Sequence, residues 1–127
     1  MKTYKILPKV NNIDFCGRVL NEPHVSKSGH VMYFDLIRNF GGGKSPVIMT
    51  FVYFKPKSGF PAFLKKGAPV VAHAYFNPVS YDKDGELVEK VQMVIKKVEE
   101  AVLETKEYAD NGPAPEEEED AVEVKES

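Results

Sequence analysis

The sequence predicts a small all-β barrel trailed by an acidic tail, and three observations predict it. Apolar residues alternate with polar ones in short runs bounded by Gly, Pro, Asn and Asp, the period of a strand with one buried face. A single segment, between the third and fourth runs, carries helix punctuation instead. The charge is also divided: residues 1–98 hold 15 Lys and Arg against 7 Asp and Glu, and residues 99–127 hold 2 against 12. These excesses, +8 and −10, combine to the formal −2 of the 127-residue chain. A near-neutral total thus conceals a basic body that attracts polyanions and a tail that competes for it.

The first strand is Ile13, Phe15, Gly17 and Val19 alternating with Asp14, Cys16 and Arg18, broken by Asn21, Glu22 and Pro23. After a turn at Lys27, Ser28 and Gly29, a second run places Met32, Phe34 and Leu36 on one face and Tyr33, Asp35 and Ile37 on the other. Gly41, Gly42 and Gly43 end it in a loop. Val47 to Phe54 is apolar on both faces apart from Thr50, as expected of a strand covered on one side and packed or binding on the other. The stretch GFPAFLKKG, from Gly59 to Gly67, has Pro61 near a first turn and basic residues in a last one, a short helix signature. Pro69 to Tyr81 and Leu87 to Val98 are β-rich and joined by Asp82 to Glu86, where Asp84-Gly85 suits the positive φ angles of a hairpin turn.

Five strands with one short helix between the third and fourth is the order of an OB-fold, a Greek-key barrel whose face and loops bind oligonucleotides. The body, residues 1–107, is long enough for one core. From Tyr108 the breaker Asn111-Gly112-Pro113-Ala114-Pro115 and the acidic run Glu116 to Asp120 leave too few apolar groups to offset ordering entropy, so residues 108–127 are expected to be disordered.

Enzymatic and metal chemistry find no support. Gly43-Lys44-Ser45 imitates the end of a phosphate-binding loop, but Arg38 stands where its first glycine belongs and Ser45-Pro46 leads into a strand. Asp82 to Glu86 hints at a calcium loop whose glycine comes too early. His24, His30 and His73 lack ligand spacing, and no nucleophile, base and orienting acid assemble from local signals, so no cofactor is expected. Cys16 sits in an alternating run, as a half-buried structural thiol. Apolar runs are too short to span a bilayer and no leader pattern is present, so the expected setting is the cytoplasm.

The run VNNIDFCGRVLNEPHV resembles the opening strand of bacterial single-stranded-DNA-binding proteins, with Asn11, Ile13, Phe15, Gly17, Val19 and Pro23 at the matching positions. The run FLKKGAPVVAHAYFNPVSYDKDGE is similar to that family's lysine-glycine turn, fourth strand and long hairpin, through Leu64, Lys66, Gly67, Val70 and Tyr81. The resemblance implies a non-enzymatic OB-fold protein that coats single-stranded DNA in replication, recombination or repair. It also implies a homo-oligomer, a dimer or tetramer, pairing through the first strand. The acidic tail is then expected to occupy the basic groove when nucleic acid is absent and to recruit replication or repair proteins when it is present. Two departures stand out: the chain has no tryptophan, where the family usually places one at the Tyr81 position, and it ends Val124-Lys125-Glu126-Ser127 instead of in Pro-Phe.

A sequence-tolerant binder of single strands needs cations for phosphates and flat rings for bases. The candidate platforms are Phe40 beside the glycine loop, Tyr81 at the base of the hairpin, and one of the consecutive pair Tyr53 and Phe54, of which only one can point outward. Phe40 and Tyr81 are equally suited to edge packing, whereas Phe15, Phe34 and Phe51 are expected in the core. The candidate cations are Arg18, Arg38, Lys44, Lys55, Lys57 and Lys83, with Lys9. From Phe40 to Lys66 there are five lysines and no acidic residue, a field of one sign. Two other partners remain open at this point: a protein bound by an accessory OB module, and single-stranded RNA.

Overall fold

The computed structural model describes residues 1–105 and 107; the tail expected at 108–127 lies outside the described residues. Its elements are β1 (Ile13–Val19), β2 (His24–Val25), β3 (Val31–Arg38), β4 (Val47–Phe54), β5 (Pro69–Lys83) and β6 (Glu86–Glu100). All five expected strands are present. The sixth, β2, is a two-residue strand paired along β3, His24 to Tyr33 and Val25 to Met32.

Each long strand has two long neighbours, in the order β1, β5, β6, β4, β3, with β3 meeting β1 again to close the ring partially into a barrel. All pairings are antiparallel except β4 with β6, which meet in parallel at Phe51–Met93 and Val52–Val94. The registers carry a steep stagger. From Asn11, whose side chain bonds the backbone of Phe76, the row runs through Met93 and Phe51 to Phe34. It rejoins β1 beside Leu20, whose N–H donates to the Asp35 carbonyl, so one circuit advances about ten residues along β1, the shear a small barrel requires.

Asn11 extends the first strand without being part of it. Its Nδ2 donates to the Phe76 carbonyl at 2.7 Å and its Oδ1 accepts from the Phe76 N–H at 2.9 Å, reproducing with one amide the pair of bonds a strand residue makes. Gly17 serves the other side of β1. A Cβ there would lie 2.8 Å from the Ile37 carbonyl oxygen, so only glycine lets β1 cross β3 closely enough to pair Arg18 with Ile37 and Val19 with Leu36.

The alternation of the strands sorts side chains into two faces. Val19, Met32, Phe34, Leu36, Phe51, Tyr53, Val70, Ala72, Ala74 and Ile95 point inward and are buried. Phe51 sits at the centre, stacked on Phe34 at 5.6 Å and tilted against Phe15 at 6.5 Å. The three phenylalanines expected in the core are there, and Cys16 is the half-buried thiol expected.

The helix expected between Gly59 and Gly67 does not form. The segment is a chain of turns, with Gly59 N–H bonded to the Pro56 carbonyl, Leu64 to Pro61 and Ala68 to Lys65. Glycines at φ +85° and +86° bracket it, leaving too few residues to repay the cost of helix nucleation. Tertiary anchors decide its shape instead: Leu64 is buried, Phe60 and Phe63 pack beside it, and Gly67 and Ala68 exchange backbone bonds with Val19. The hairpin turn is as expected, with Asp84 at φ +52° and Gly85 at φ +84°.

Candidate nucleic-acid interface

The outward residues of the sheet line up in a row across four long strands and the short one. Tyr75 of β5 faces Val94 of β6, Val94 faces Val52 of β4, Val52 faces Tyr33 of β3, and Tyr33 faces His24 of β2. Val52 and Val94 are almost wholly buried although they lie outside the barrel core, so they form a low floor. Tyr33, 40% exposed, stands at one side with its ring 6.4 Å from that of His24. Little of either valine is open to solvent, so what this row offers a flat, unstacked ligand is the exposed ring of Tyr33 above a buried support.

The consecutive pair at the end of β4 divides as alternation demands. Tyr53 is 7% exposed, its ring edge-on to Phe60 at 5.5 Å, and burial pushes its hydroxyl pKa up. Phe54 is the outward member, 54% exposed and one alternation beyond Val52 on the same face. Lys55 and Lys57 follow it and are exposed, with the Lys55 N–H tied to the His30 carbonyl at 2.8 Å. Phe54, Lys55 and Lys57 thus gather at one end of the β3–β4 ladder.

Phe40 and Tyr81 belong to the opposite end. Because β4 and β6 run parallel, the loop entering β4 and the hairpin entering β6 leave the barrel in the same direction. Phe40, 38% exposed, carries the Arg38 guanidinium 5.2 Å from its ring centre; Tyr81, 44% exposed, has the Lys90 ammonium 5.6 Å from its own. Lys44 is exposed in the glycine loop and Lys83 near the hairpin tip, where its register partner is Glu86. Phe54 ends the seven-step β3–β4 ladder and Phe40 follows its other end at Arg38 by two residues, so a ladder of about 23 Å at the usual strand rise stands between them.

The two arginines are tied to backbone. Arg18 donates to the Gly67 carbonyl at 3.0 Å and Arg38 to the Cys16 carbonyl at 3.2 Å, both at the seam where β1 meets its neighbours. Lys9 is exposed on the segment preceding β1.

Several residues on this face were not singled out by sequence. Tyr33 and Tyr75 flank the valine floor, and Lys90 covers Tyr81; the alternation placed Tyr33 opposite the core, which was signal enough to add it. A bulge at His73/Ala74 inserts Lys96 as an extra residue in β6, where its ammonium reaches the side-chain oxygen of Asn12. Beside it, His73 is held by Asp14 at 2.7 Å and Glu99 at 3.1 Å, and Lys97 bonds Glu99 at 2.9 Å. The bond from Asp14, then that from Glu99, raises the His73 pKa, while Lys97 and then His73 lower that of Glu99. Among the described residues no cluster of His, Cys, Asp and Glu is arranged to hold a metal, and no helix is long and apolar enough to cross a membrane.

No family model matches the chain, and no curated protein matches it in sequence. Its fold is similar to that of a Plasmodium falciparum SSB solved in complex with ssDNA, with a TM-score of 0.53 and 16% sequence identity over 75% of this chain and 96% of that one. At that identity the likeness is one of fold alone, a partly closed β barrel of the OB type.

Proposed function

We propose that this chain binds single-stranded DNA with little regard to sequence, without catalysing a reaction, and protects it in replication, recombination or repair. The observation that carries this reading is the outer face itself. The ring of Tyr33 is exposed on it over the buried Val52 and Val94, with Phe54 and its two lysines at one end and Phe40, Tyr81 and their cations at the other. Stacking contributes about 1–3 kcal/mol per base, so three or four engaged rings and a few lysines suffice for tight binding without tryptophan. The fold shared with an SSB that was solved with ssDNA supports the same reading. The cations assigned to phosphates are Lys44, Lys55, Lys57, Lys83 and Lys90, with Arg38 holding Phe40 in place.

In this reading residues 1–107 are the binding domain and 108–127 an acidic tail that competes with DNA for the basic face and recruits other proteins in the cytoplasm. Copies of the chain associate as a dimer or tetramer. The edge of β1 that β3 leaves unpaired before Arg18, and the exposed Phe76, Leu87 and Val91 on the reverse of the β5–β6 arm, provide surface for that.

The test is fluorescence anisotropy of a labelled oligothymidine against the same-length duplex and the matching RNA, at several salt concentrations. Single-strand binding whose log affinity falls with log salt by about 0.7 per phosphate supports the proposal. Absence of binding at low salt rejects it in favour of a protein-binding barrel, and stronger binding to the RNA strand moves the assignment to RNA.

A further inference from the structure

A carboxylate stands in the middle of the face assigned to a polyanion. Asp35 projects outward from β3 directly opposite Thr50 of β4, and the Thr50 hydroxyl donates to its Oδ1 at 2.5 Å. Tyr33 lies one alternation away on the same face of β3. Asp35, Thr50 and Tyr33 line a shallow concavity together with His24, Asn21 and Glu22, and Glu22 is itself anchored by the Lys66 N–H at 3.2 Å. Two carboxylates repel phosphate, so the concavity is unsuited to the backbone of a nucleic acid. It is suited to the edge of a base.

The bases differ in what they present there. Guanine carries two adjacent donors, N1–H and the N2 amino group, beside the O6 acceptor. A carboxylate with two oxygens accepts from both donors. Thymine places one N–H between two carbonyl oxygens that a carboxylate repels, and adenine and cytosine pair a single amino group with an acceptor. The hydroxyl of Thr50 fixes the rotamer of Asp35, the ring of Tyr33 offers a stacking surface beside it, and Asn21, on the rim of the same concavity, brings an amide that can serve as a donor. We infer that the Tyr33–Asp35–Thr50 concavity is a guanine-preferring subsite on an otherwise sequence-tolerant face. This inference rests on the single-strand-binding reading above.

The test compares oligothymidines carrying isolated guanines with the same strands carrying hypoxanthine, which lacks only the N2 amino group, and with plain oligothymidine. The guanine strand binds the native chain about threefold to tenfold more tightly than the hypoxanthine strand, the size of one net hydrogen bond. Asp35→Asn lowers that ratio towards one, because its amide keeps a single acceptor oxygen and sets an NH2 donor against the second guanine donor, while affinity for plain oligothymidine is kept or improved. Thr50→Val, which frees the carboxylate from its hydroxyl, reduces the ratio and serves if the first variant melts early. Equal binding of guanine and hypoxanthine strands by the native chain, or an unchanged ratio in Asp35→Asn, overturns the subsite and leaves the single-strand reading standing. Failure of every strand to bind overturns both.

Discussion

Gly17 and Ile37 meet where β1 crosses β3, and a methyl group on Gly17 would stand 2.8 Å from the Ile37 carbonyl oxygen and 3.2 Å from its carbonyl carbon. Both obstacles are backbone, so no side-chain rotation relieves them. Replacing a strand glycine by alanine ordinarily gains about 0.5–1 kcal/mol by restricting the unfolded chain. Overpacking against fixed atoms costs about 1–3 kcal/mol and here outweighs the gain. Gly17→Ala is therefore expected to lower the urea midpoint by the equivalent of about 1–2 kcal/mol. An unchanged or higher midpoint would show that the seam yields freely.

His73 gives stability a pH dependence. Both ring nitrogens face carboxylate oxygens, Asp14 on β1 and Glu99 on β6, and a neutral imidazole has one N–H for two acceptors. Its pKa is raised in the folded state, so the stabilisation is fully present below the ordinary histidine value of 6.5 and is lost as pH rises through the higher folded one. Glu99 works in the opposite sense: its folded pKa is lowered, so its contribution is present above 4.5 and is lost as pH falls through the folded value. The clasp is strongest between these limits. Melting temperatures of the native chain are expected to fall from pH 6 to pH 8 relative to His73→Gln, and parallel curves would remove His73 from the account.

The strand plan was legible because alternation is a local signal: it set Phe15 and Phe34 on the apolar sides of their strands, and Phe51, expected in the core as most phenylalanines of a β domain are, packs with both. The turn at Asp84-Gly85 was legible for the same reason. The helix was misread because its punctuation is local while the burial of Leu64, Phe60 and Phe63 that shapes the segment is not. The site was half legible. That only one of Tyr53 and Phe54 faces outward follows from the period of two, but which one follows from where β4 meets the core. The acid-free stretch from Phe40 to Lys66 implied a face of one sign; alternation put Asp35 on the outer side of β3, but its place opposite Thr50 within that face, with Glu22 beside it, follows from strand pairing and folding that no linear spacing displays.

The division between Tyr53 and its neighbours is testable through binding and folding together. Tyr33→Ala and Phe54→Ala remove exposed rings from the outer face and are each expected to weaken oligothymidine binding by about 1–3 kcal/mol, with little change in melting temperature. Tyr81→Ala is expected to do the same, and Lys90 then loses the ring it covers. Tyr53→Phe keeps the buried ring against Phe60 and is expected to leave affinity unchanged. Weakened binding in Tyr53→Phe, with none in Phe54→Ala, would reverse the assignment of the two faces of β4.

The lysines and arginines of the site are expected to separate in salt titrations. Lys55 and Lys57 are exposed beside Phe54, so their charge is available to phosphates, and removing either ammonium should reduce the slope of log affinity against log salt by about 0.7. Lys55→Ala combined with Lys57→Ala is thus expected to flatten the slope while the melting temperature holds. Arg18 instead spans the seam, its guanidinium bonded to the Gly67 carbonyl between β1 and the turns that follow β4. Arg18→Ala is expected to lower the melting temperature and to leave the slope almost unaltered, because the charge removed is committed to the fold. A slope that falls as far in Arg18→Ala as in a single lysine variant would place Arg18 among the phosphate ligands, and would extend the binding path over the β1 edge of the barrel.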